Sequence, residues 1–284
     1  MAKSKLALID LDAMLHIVSY VQVSSGNRDC SITTKTHVKS FINTIEKNSG
    51  CTTSIKFFQN LGHKNFRNEI LPEYKGHRTT AEAVALWKPT ILEAFKEVGG
   101  VALNYIESDD AISVVANVLK PDEIVIISSD KDMIQVPGTH YNPFKSNIAW
   151  EERWQKITRA VAERFFWEQV LTGDPTDMPS SMCGIEKCGP KTAKKLISDI
   201  DLPILQIIGD AYTKKYGAKE GFIRANRTFK MVRLLKNRSN EYINAEAEAE
   251  VKMILQDFKS WVQPIEDDVL NLFQAPEPEN LFKK

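Results

Sequence analysis

Over the first half of this chain, short apolar runs alternate with helical stripes. Residues 6–9, LALI, read as a buried strand that ends at Asp10, with Asp12 two residues on and a helix to about Val21. The polar segment 24–34, with its Gly-Asn turn, reads as a loop. Val38, Phe41, Ile42 and Ile45 repeat at helical spacing until about Gly50. A second strand is expected over 54–58, running into Gln59 and Asn60. Residues 61–80, LGHKNFRNEILPEYKGHRTT, are rich in His, Lys and Arg, and Pro72 and Gly76 break them; this predicts a long loop or a loosely helical excursion. Residues 81–98 follow as a helix closed by Gly99-Gly100. The run 101–106 reads as a strand that ends in Glu107, Asp109 and Asp110. A helix starts there with Ala111, Ile112, Val115, Val118 and Leu119 on its apolar stripe and Ser108 as expected N-cap. Asp109 extends that stripe, while Asp110 is expected to face away towards Ser113 and Asn117. Residues 123–127 form a further strand ending in SSDKD, and 139–150 suggest a hairpin around Pro143 and Asn147.

Such alternation predicts an α/β fold, a mostly parallel sheet flanked by helices. From about Ile157 the pattern becomes helical throughout. ITRAVAERFFWEQVL carries an apolar helical face, and GIEKCGPKTAKKLI reads as two short helices around a Gly-Pro hairpin. The expected division is an α/β domain over 1–156 with its basic segment at 61–80, a helical region over 157–262, and a flexible Pro-rich acidic tail over 263–284. Leu272-Phe273, just before the end, is a candidate partner motif.

Composition changes this picture little. Hydrophobic residues make up 43% of 284 residues and charged residues 26%, as in ordinary soluble proteins. No apolar run is long enough to span a membrane and no basic–apolar leader is present, so the expected address is cytoplasmic. Cys30, Cys51, Cys183 and Cys188 form no CxxC pair and complete no zinc pattern, which predicts free thiols in a reducing compartment. The net charge is zero, 37 bases against 37 acids. The distribution is uneven, however, with bases gathered in 187–195 and 214–238. A balanced total can hide an acidic pocket beside a basic surface.

The acids carry the candidate chemistry. Any one of Asp10, Asp12, Glu107, Asp109, Asp110, Asp130, Asp132, Asp174 and Asp177 would alone be more often a cap than a ligand. In a parallel sheet, however, the strand ends at Asp10, Glu107 and Asp130 share one edge, where ligands bind. That many carboxylates in one place repel one another without counter-charge. Hard divalent cations with oxygen ligands supply it, Mg²⁺ best of all, and a pair of them can hydrolyse a phosphodiester. No Ser-His-Asp or Cys-His pairing stands out, and no GxxxxGK[ST] loop occurs.

LALIDLD, FRNEILPEYKGHR, ESDD, ISSDKDMIQV and LTGDPTDMPSSMCGIEKCGPKTAKKLI occur in this order from about residue 6 to 198. In them the chain resembles the phage and bacterial 5′-3′ exonucleases of the flap endonuclease superfamily. ESDD matches the family's E-x-D-D, SSDKD its S-x-D-x-D, and GDPTDMP, loosely, its G-D-x-x-D-N-[IV]-P. The resemblance implies a PIN-like sheet followed by a helical region with a helix-hairpin-helix (helix-three-turn-helix) motif at about 182–198. It implies a first metal site of Asp10, Glu107, Asp109 and Asp110, a second of Asp132, Asp174 and Asp177, and a shared Asp130. Asp12 is either a further ligand or a helix cap. The segment 61–80 would form an arch in which Lys75 and Arg78 contact the scissile phosphate. These two and Asp130 are the expected catalytic residues. Arg67, Lys64 and His77 are either DNA contacts beside them or solvated basic loop residues, and Tyr74 either stacks on a base or packs at the loop root. Gly184 and Gly189 would let backbone amides meet phosphates, with Lys191, Thr192, Lys194 and Lys195 adding to the DNA contact and K⁺ held by loop carbonyls.

Three positions depart from the family pattern. Asn60 stands where many members have Asp and could still ligate through its carbonyl oxygen. Met178 replaces the Asn after the second Asp of GDxxD, and Leu11 replaces the common Gly after Asp10. The expected activity is Mg²⁺-dependent 5′-3′ exonuclease or flap endonuclease cleavage of duplex or branched DNA and RNA–DNA hybrids, with Mn²⁺ as substitute. Its setting would be phage replication, including primer removal, or nucleotide recycling, in the host cytoplasm, by a monomer with a replication protein as potential partner. The alternative, prompted by Asn60, is a catalytically weak DNA-junction binding module.

Overall fold

The computed structural model of the chain describes residues 5–24, 31–78, 82–145, 147–198, 203–236 and 242–261. Six strands form one sheet: β1 (Leu6–Asp10), β2 (Thr53–Gln59), β3 (Val101–Leu103), β4 (Ile124–Ile127), β5 (Gly138–Tyr141) and β6 (Trp154–Ile157). Their spatial order is β3-β2-β1-β4-β5-β6, and neighbours are parallel except β5 and β6. β1 is central and buried along its whole length, which explains its unbroken apolar run. Leu6 and Leu8 face one core layer, whereas Ala7 and Ile9 face the other, as strand alternation requires. On the Ala7 side lie α1 (Asp12–Ser24), α2 (Ser31–Ser49) and α4 (Glu82–Glu97). On the Leu6 side lie α5 (Ser108–Ala116) and α10 (Ala245–Trp261).

The remaining helices are the single turn α3 (Arg67–Ile70), then α6 (Arg159–Thr172), α7 (Pro190–Ile197), α8 (Ile204–Tyr216) and α9 (Ala218–Val232). α6 to α9 build a separate apolar cluster that also takes in Leu71 and Tyr74 of the basic segment. α10, expected with these helices, returns to the sheet: Ala247, Val251, Ile254 and Phe258 join the core of Leu6 and Leu8. No described helix is long and apolar enough to cross a membrane. Cys51, Cys183 and Cys188 are free thiols. Cys30, Leu272-Phe273 and the tail lie outside the described residues.

Several local expectations are corrected. α2 begins at Ser31, inside the predicted loop, because buried Thr34 continues the face of Val38, Ile42 and Ile45 although it is polar. β3 stops at Leu103 because the next three amides leave the sheet for a carboxylate: Glu250 of α10 accepts from Asn104, Tyr105 and Ile106 at 2.7, 2.8 and 3.0 Å. Glu107, not Ser108, is the N-cap of α5. The hairpin's second strand is β6, beyond Trp150, where the Tyr141–Trp154 pair stacks with ring centroids 4.5 Å apart. The first half of GIEKCGPKTAKKLI is turn rather than helix: Gly184 and Lys187 both have positive φ, 70° and 65°, and the Glu186 amide bonds the Tyr216 hydroxyl at 2.8 Å.

Candidate active site

Because β1 to β5 run the same way, their carboxyl ends open on one side of the sheet, and the acids collect there. Glu107 and Asp109 from the start of α5, Asp130 and Asp132 after β4, and Asp174 and Asp177 after α6 line one polar pocket with Tyr74, Lys75 and Arg78. Glu107, Asp109 and Asp110 each bring an oxygen to within 4.8 Å of one another.

Two of the predicted ligands, Asp10 and Asp110, already have protein partners, and Asp110 belongs with Glu107 and Asp109 to the one carboxylate group among the described residues that could hold a metal ion. Asp10 sits at 4% exposure outside the basin and accepts hydroxyl bonds from Ser108 and Ser128 at 2.5 and 2.7 Å. It also accepts the amides of Asp12 and Ala13. Burial pushes its pKa up, and the two serines offset part of the rise. Asp10 therefore ties the ends of β1, β4 and α5 together. Asp110 is fully buried and, rather than turning to Ser113 and Asn117, grips Arg67 with both oxygens at 2.6 and 2.9 Å. It also accepts the Leu235 amide at 3.0 Å. Asn60, the departure from the family pattern, is likewise outside the basin, with its side-chain amide on Asn104 Oδ1 at 3.2 Å. Asp12 holds the Gln59 amide with both oxygens, at 3.0 and 3.1 Å, rather than capping its own helix. Burial, then Asp10, raises its pKa to about 7.

The remaining acids line the basin, although Glu107, Asp174 and Asp177 are themselves buried. Asp109 is half-buried, and burial, then Asp110 and Glu107, lift its pKa well above the usual range. Burial and Asp130 raise that of Asp132 to about 6. Such shifts mark negative charge short of a counter-ion. Glu107 goes the other way: burial works against ionisation, but Lys75 and Arg67 outweigh it and hold the carboxyl well below its ordinary value. Burial of Asp174 is likewise outweighed by Lys131, whose ammonium lies 2.9 Å from Oδ2, and the pKa falls.

The basic segment divides in two. Arg67, a predicted DNA contact, is 2% exposed and spends its guanidinium on Asp110, Glu107 and the carbonyls of Met231 and Arg233. A guanidinium so enclosed has no N–H left for a phosphate. Tyr74 is also buried; its hydroxyl lies 2.6 Å from Glu107 and 3.3 Å from Asp177, so its ring is not free to stack on a base. Lys75 and Arg78, in contrast, reach the basin. Lys75 contacts Glu107 and lies 3.5 Å from Asp177 Oδ2. Its φ of 56° is sustained by its amide bond to the Asp177 carbonyl at 2.7 Å. Exposed Arg78 contacts Asp177 and lies 3.3 Å from the Thr176 carbonyl. Lys64 and His77 are exposed. Met178 is buried in the helical core and also lines the basin, whereas Leu11 is buried under the sheet end.

In the loop before α7, Gly184 serves packing. A Cβ there would stand 2.4 Å from the Thr172 carbonyl oxygen, and its amide bonds Thr228 Oγ1 at 2.8 Å. Gly189, the N-cap of α7, faces open space, and Lys191, Thr192, Lys194 and Lys195 are exposed. Sequence reading missed Arg224, which is buried on α9 and donates to the carbonyls of Ser180, Ser181 and Gly184. It also missed Ser128, Lys131, Gln169 and Glu250. A buried amide in an apolar helix, as Gln169 is in FFWEQVL, is the one signal that could have been read.

Residues 5–165 match the sequence profile of the 5′-3′ exonuclease, N-terminal resolvase-like domain. The chain belongs to this 5′-3′ exonuclease family. Among relatives of this family member, a 5′-3′ exonuclease of Buchnera aphidicola subsp. Schizaphis graminum is 31% identical over 168 residues, 56% of this chain and 57% of that protein. The one from the Acyrthosiphon pisum strain is 33% identical over 143 residues, 48% and 49% of the two chains. The alignments thus span about half the length of these relatives. Flap endonuclease Xni of Vibrio vulnificus is 27% identical over 81% of this chain and 91% of its own. In fold, the family member is similar to a T5 5′-exonuclease solved with zinc, at a TM-score of 0.61 and 18% identity over 95% and 99% of the two chains. A T5 flap endonuclease solved with DNA and metal ions gives 0.57 and 18% over 94% and 98%.

Proposed function

We propose that this chain is a metal-dependent 5′ nuclease that hydrolyses phosphodiesters near 5′ ends of duplex or branched DNA and of RNA–DNA hybrids. One observation carries the reading: six carboxylates from separate elements open into one pocket together with Lys75 and Arg78. The open donors are hard oxygens, two of them with raised pKa, and this suits Mg²⁺ or Mn²⁺ better than soft-ligand metals. Glu107 and Asp109 would hold one ion, Asp132, Asp174 and Asp177 a second, with Asp130 between. Divalent cations bound there would supply the Lewis acidity that makes water a nucleophile and steadies the leaving oxygen. Lys75 and Arg78 neutralise charge that builds on the scissile phosphate, and their present carboxylate partners hold them in reach of it. Tyr74, hydrogen-bonded to Glu107, keeps that carboxylate oriented. The turn at 184–189 and α7 would grip duplex backbone, in the place of the family's helix-hairpin-helix, with the first turn of α7 and Lys191, Lys194 and Lys195 facing phosphates. A bound K⁺ would share this loop with Arg224, which already takes several of its carbonyls. A binding-only module was prompted by Asn60, and Asn60 does not reach the basin.

The test is a 5′-labelled flap and a nicked duplex with Mg²⁺, compared with EDTA and with Asp130→Ala. Cleavage is expected only in the first case, and cleavage that survives EDTA or the mutation overturns the reading. Lys75→Ala should lower kcat about 100-fold or more with less than a threefold change in DNA affinity. Equal losses would make Lys75 a docking residue. A parallel RNA–DNA hybrid decides substrate breadth.

A further inference from the structure

Behind the acidic basin, the segment 231–235 at the end of α9 is clasped from two sides. On one, Arg67 takes the carbonyls of Met231 and Arg233 while Asp110 accepts the Leu235 amide. On the other, Gln135 reads the same segment: its Nε2 donates to the Val232 carbonyl at 2.7 Å and its Oε1 lies 3.3 Å from the Leu234 amide. A backbone carbonyl cannot donate and a backbone amide cannot accept, so the orientation of the Gln135 amide is dictated. Its Nε2 then also donates to Gln169 Oε1 at 2.6 Å, and this turns Gln169 so that its own Nε2 meets Asp132 Oδ1 at 2.6 Å. No hydrogen bond among the described residues reaches Asp132 Oδ2, and Asp132 lines the basin. The nearest competitor is Lys131, whose ammonium is 3.9 Å from Asp132 and 2.9 Å from Asp174.

We propose that Gln169 is a positioning residue for the second cation site, pinning Asp132 by Oδ1 and leaving Oδ2 for the ion, with its polarity set through Gln135 by the backbone at 232–234. The inference rests on Asp132 being a ligand. Without the pinning bond, Asp132 turns towards Lys131 and the site is partly filled by the protein's own cation. Groups that orient metal ligands in this way typically govern 10–100-fold in affinity.

The experiment is Mn²⁺ binding to the full chain without DNA, followed by calorimetry and by Mn²⁺ EPR, for wild type, Gln169→Met, Gln169→Glu and Asp132→Ala. Gln169→Met, similar in volume but without the donor, should weaken one of the Mn²⁺ sites about 10–100-fold. It should raise the Mg²⁺ needed for half-maximal cleavage in proportion and leave the DNA KM within twofold. Gln169→Glu, which still accepts from Gln135 but faces Asp132 with a carboxylate, should be at least as impaired. If Asp132→Ala loses a site while Gln169→Met binds Mn²⁺ as wild type does, the role of Gln169 is overturned. If Asp132→Ala itself binds Mn²⁺ unchanged, the ligand assignment fails, and the Gln169 role with it. Should Gln169→Met not fold, Gln135→Met cuts the same relay one step further out and is read against the same outcomes.

Discussion

At the scale of single residues, Asp12 illustrates how much environment decides. Burial and the neighbouring Asp10 outweigh the bonds it receives from the Gln59 amide and Ser108, so its pKa rises from 3.8 to about 7. In the unfolded chain the group ionises near its ordinary value, whereas the folded protein retains the proton until about neutrality. Its contribution to stability is therefore present below pH 4 and lost as pH rises towards 7. Asp12→Asn keeps an acceptor for Gln59 and cannot ionise. Denaturant melts should show the variant gaining on wild type progressively between pH 4 and 7, up to a few kcal/mol, and then levelling. A difference that is flat with pH would refute the assignment. Helical spacing already set Asp110 apart from Asp109, but the bonds that Ser108 and Ser128 give Asp10, and Arg67 gives Asp110, come only with the fold. Those partners were invisible in the motif ESDD, because Arg67 and Ser128 come from other parts of the chain.

Among the elements, α10 does unexpected work. It docks on α5 through an apolar face, and Glu250 on it satisfies three consecutive amides of the turn that delivers Glu107 and Asp109. Removing the carboxylate leaves one buried donor, Ile106, and two part-buried ones without their partner, the buried one worth roughly 1 kcal/mol or more. Glu250→Ala should destabilise the protein by about 2–4 kcal/mol in urea melts. Hydrogen exchange of the Asn104, Tyr105 and Ile106 amides should rise with it. If the loss of stability occurs while those amides remain protected, the carboxylate is not what holds the turn. The expected strand over 101–106 failed for the same reason: alternation and apolarity were right, but a competing acceptor lay 144 to 146 residues away. The hairpin at β5–β6 was misjudged more simply, since the Tyr141–Trp154 stack selects a register that a turn-based reading of Pro143 and Asn147 cannot anticipate.

Across the whole molecule, the net charge of zero says nothing about where the charge is. Six carboxylates share one pocket, while exposed lysines gather at the start of α7. Lys75, Arg78 and Lys131 compensate the acids only in part, as the raised pKa values of Asp109 and Asp132 record. A divalent cation that binds the folded basin and not the unfolded chain must stabilise the fold, by about 2.7 kcal/mol at a hundredfold excess over its Kd. Millimolar Mg²⁺ or Mn²⁺ should therefore raise the thermal midpoint of wild type and raise that of Asp130→Ala much less. Equal increments in both would place the stabilising ion elsewhere.

What the sequence by itself determined is the parallel sheet and its acidic rim. Unbroken apolar runs can only be buried strands between helical layers, and parallel strands deliver their last residues to one side, so Asp10, Glu107 and Asp130 had to share an edge. The approach of Lys75 and Arg78 to that edge was legible through the YKGHR motif, though their carboxylate partners were not. Only the tertiary structure decided which acids remain open. Which partner each carboxylate meets depends on residues far away in sequence. Arg67, Ser108 and Gln169 make such bonds to Asp110, Asp10 and Asp132, and each is an unremarkable polar residue until the chain folds around it.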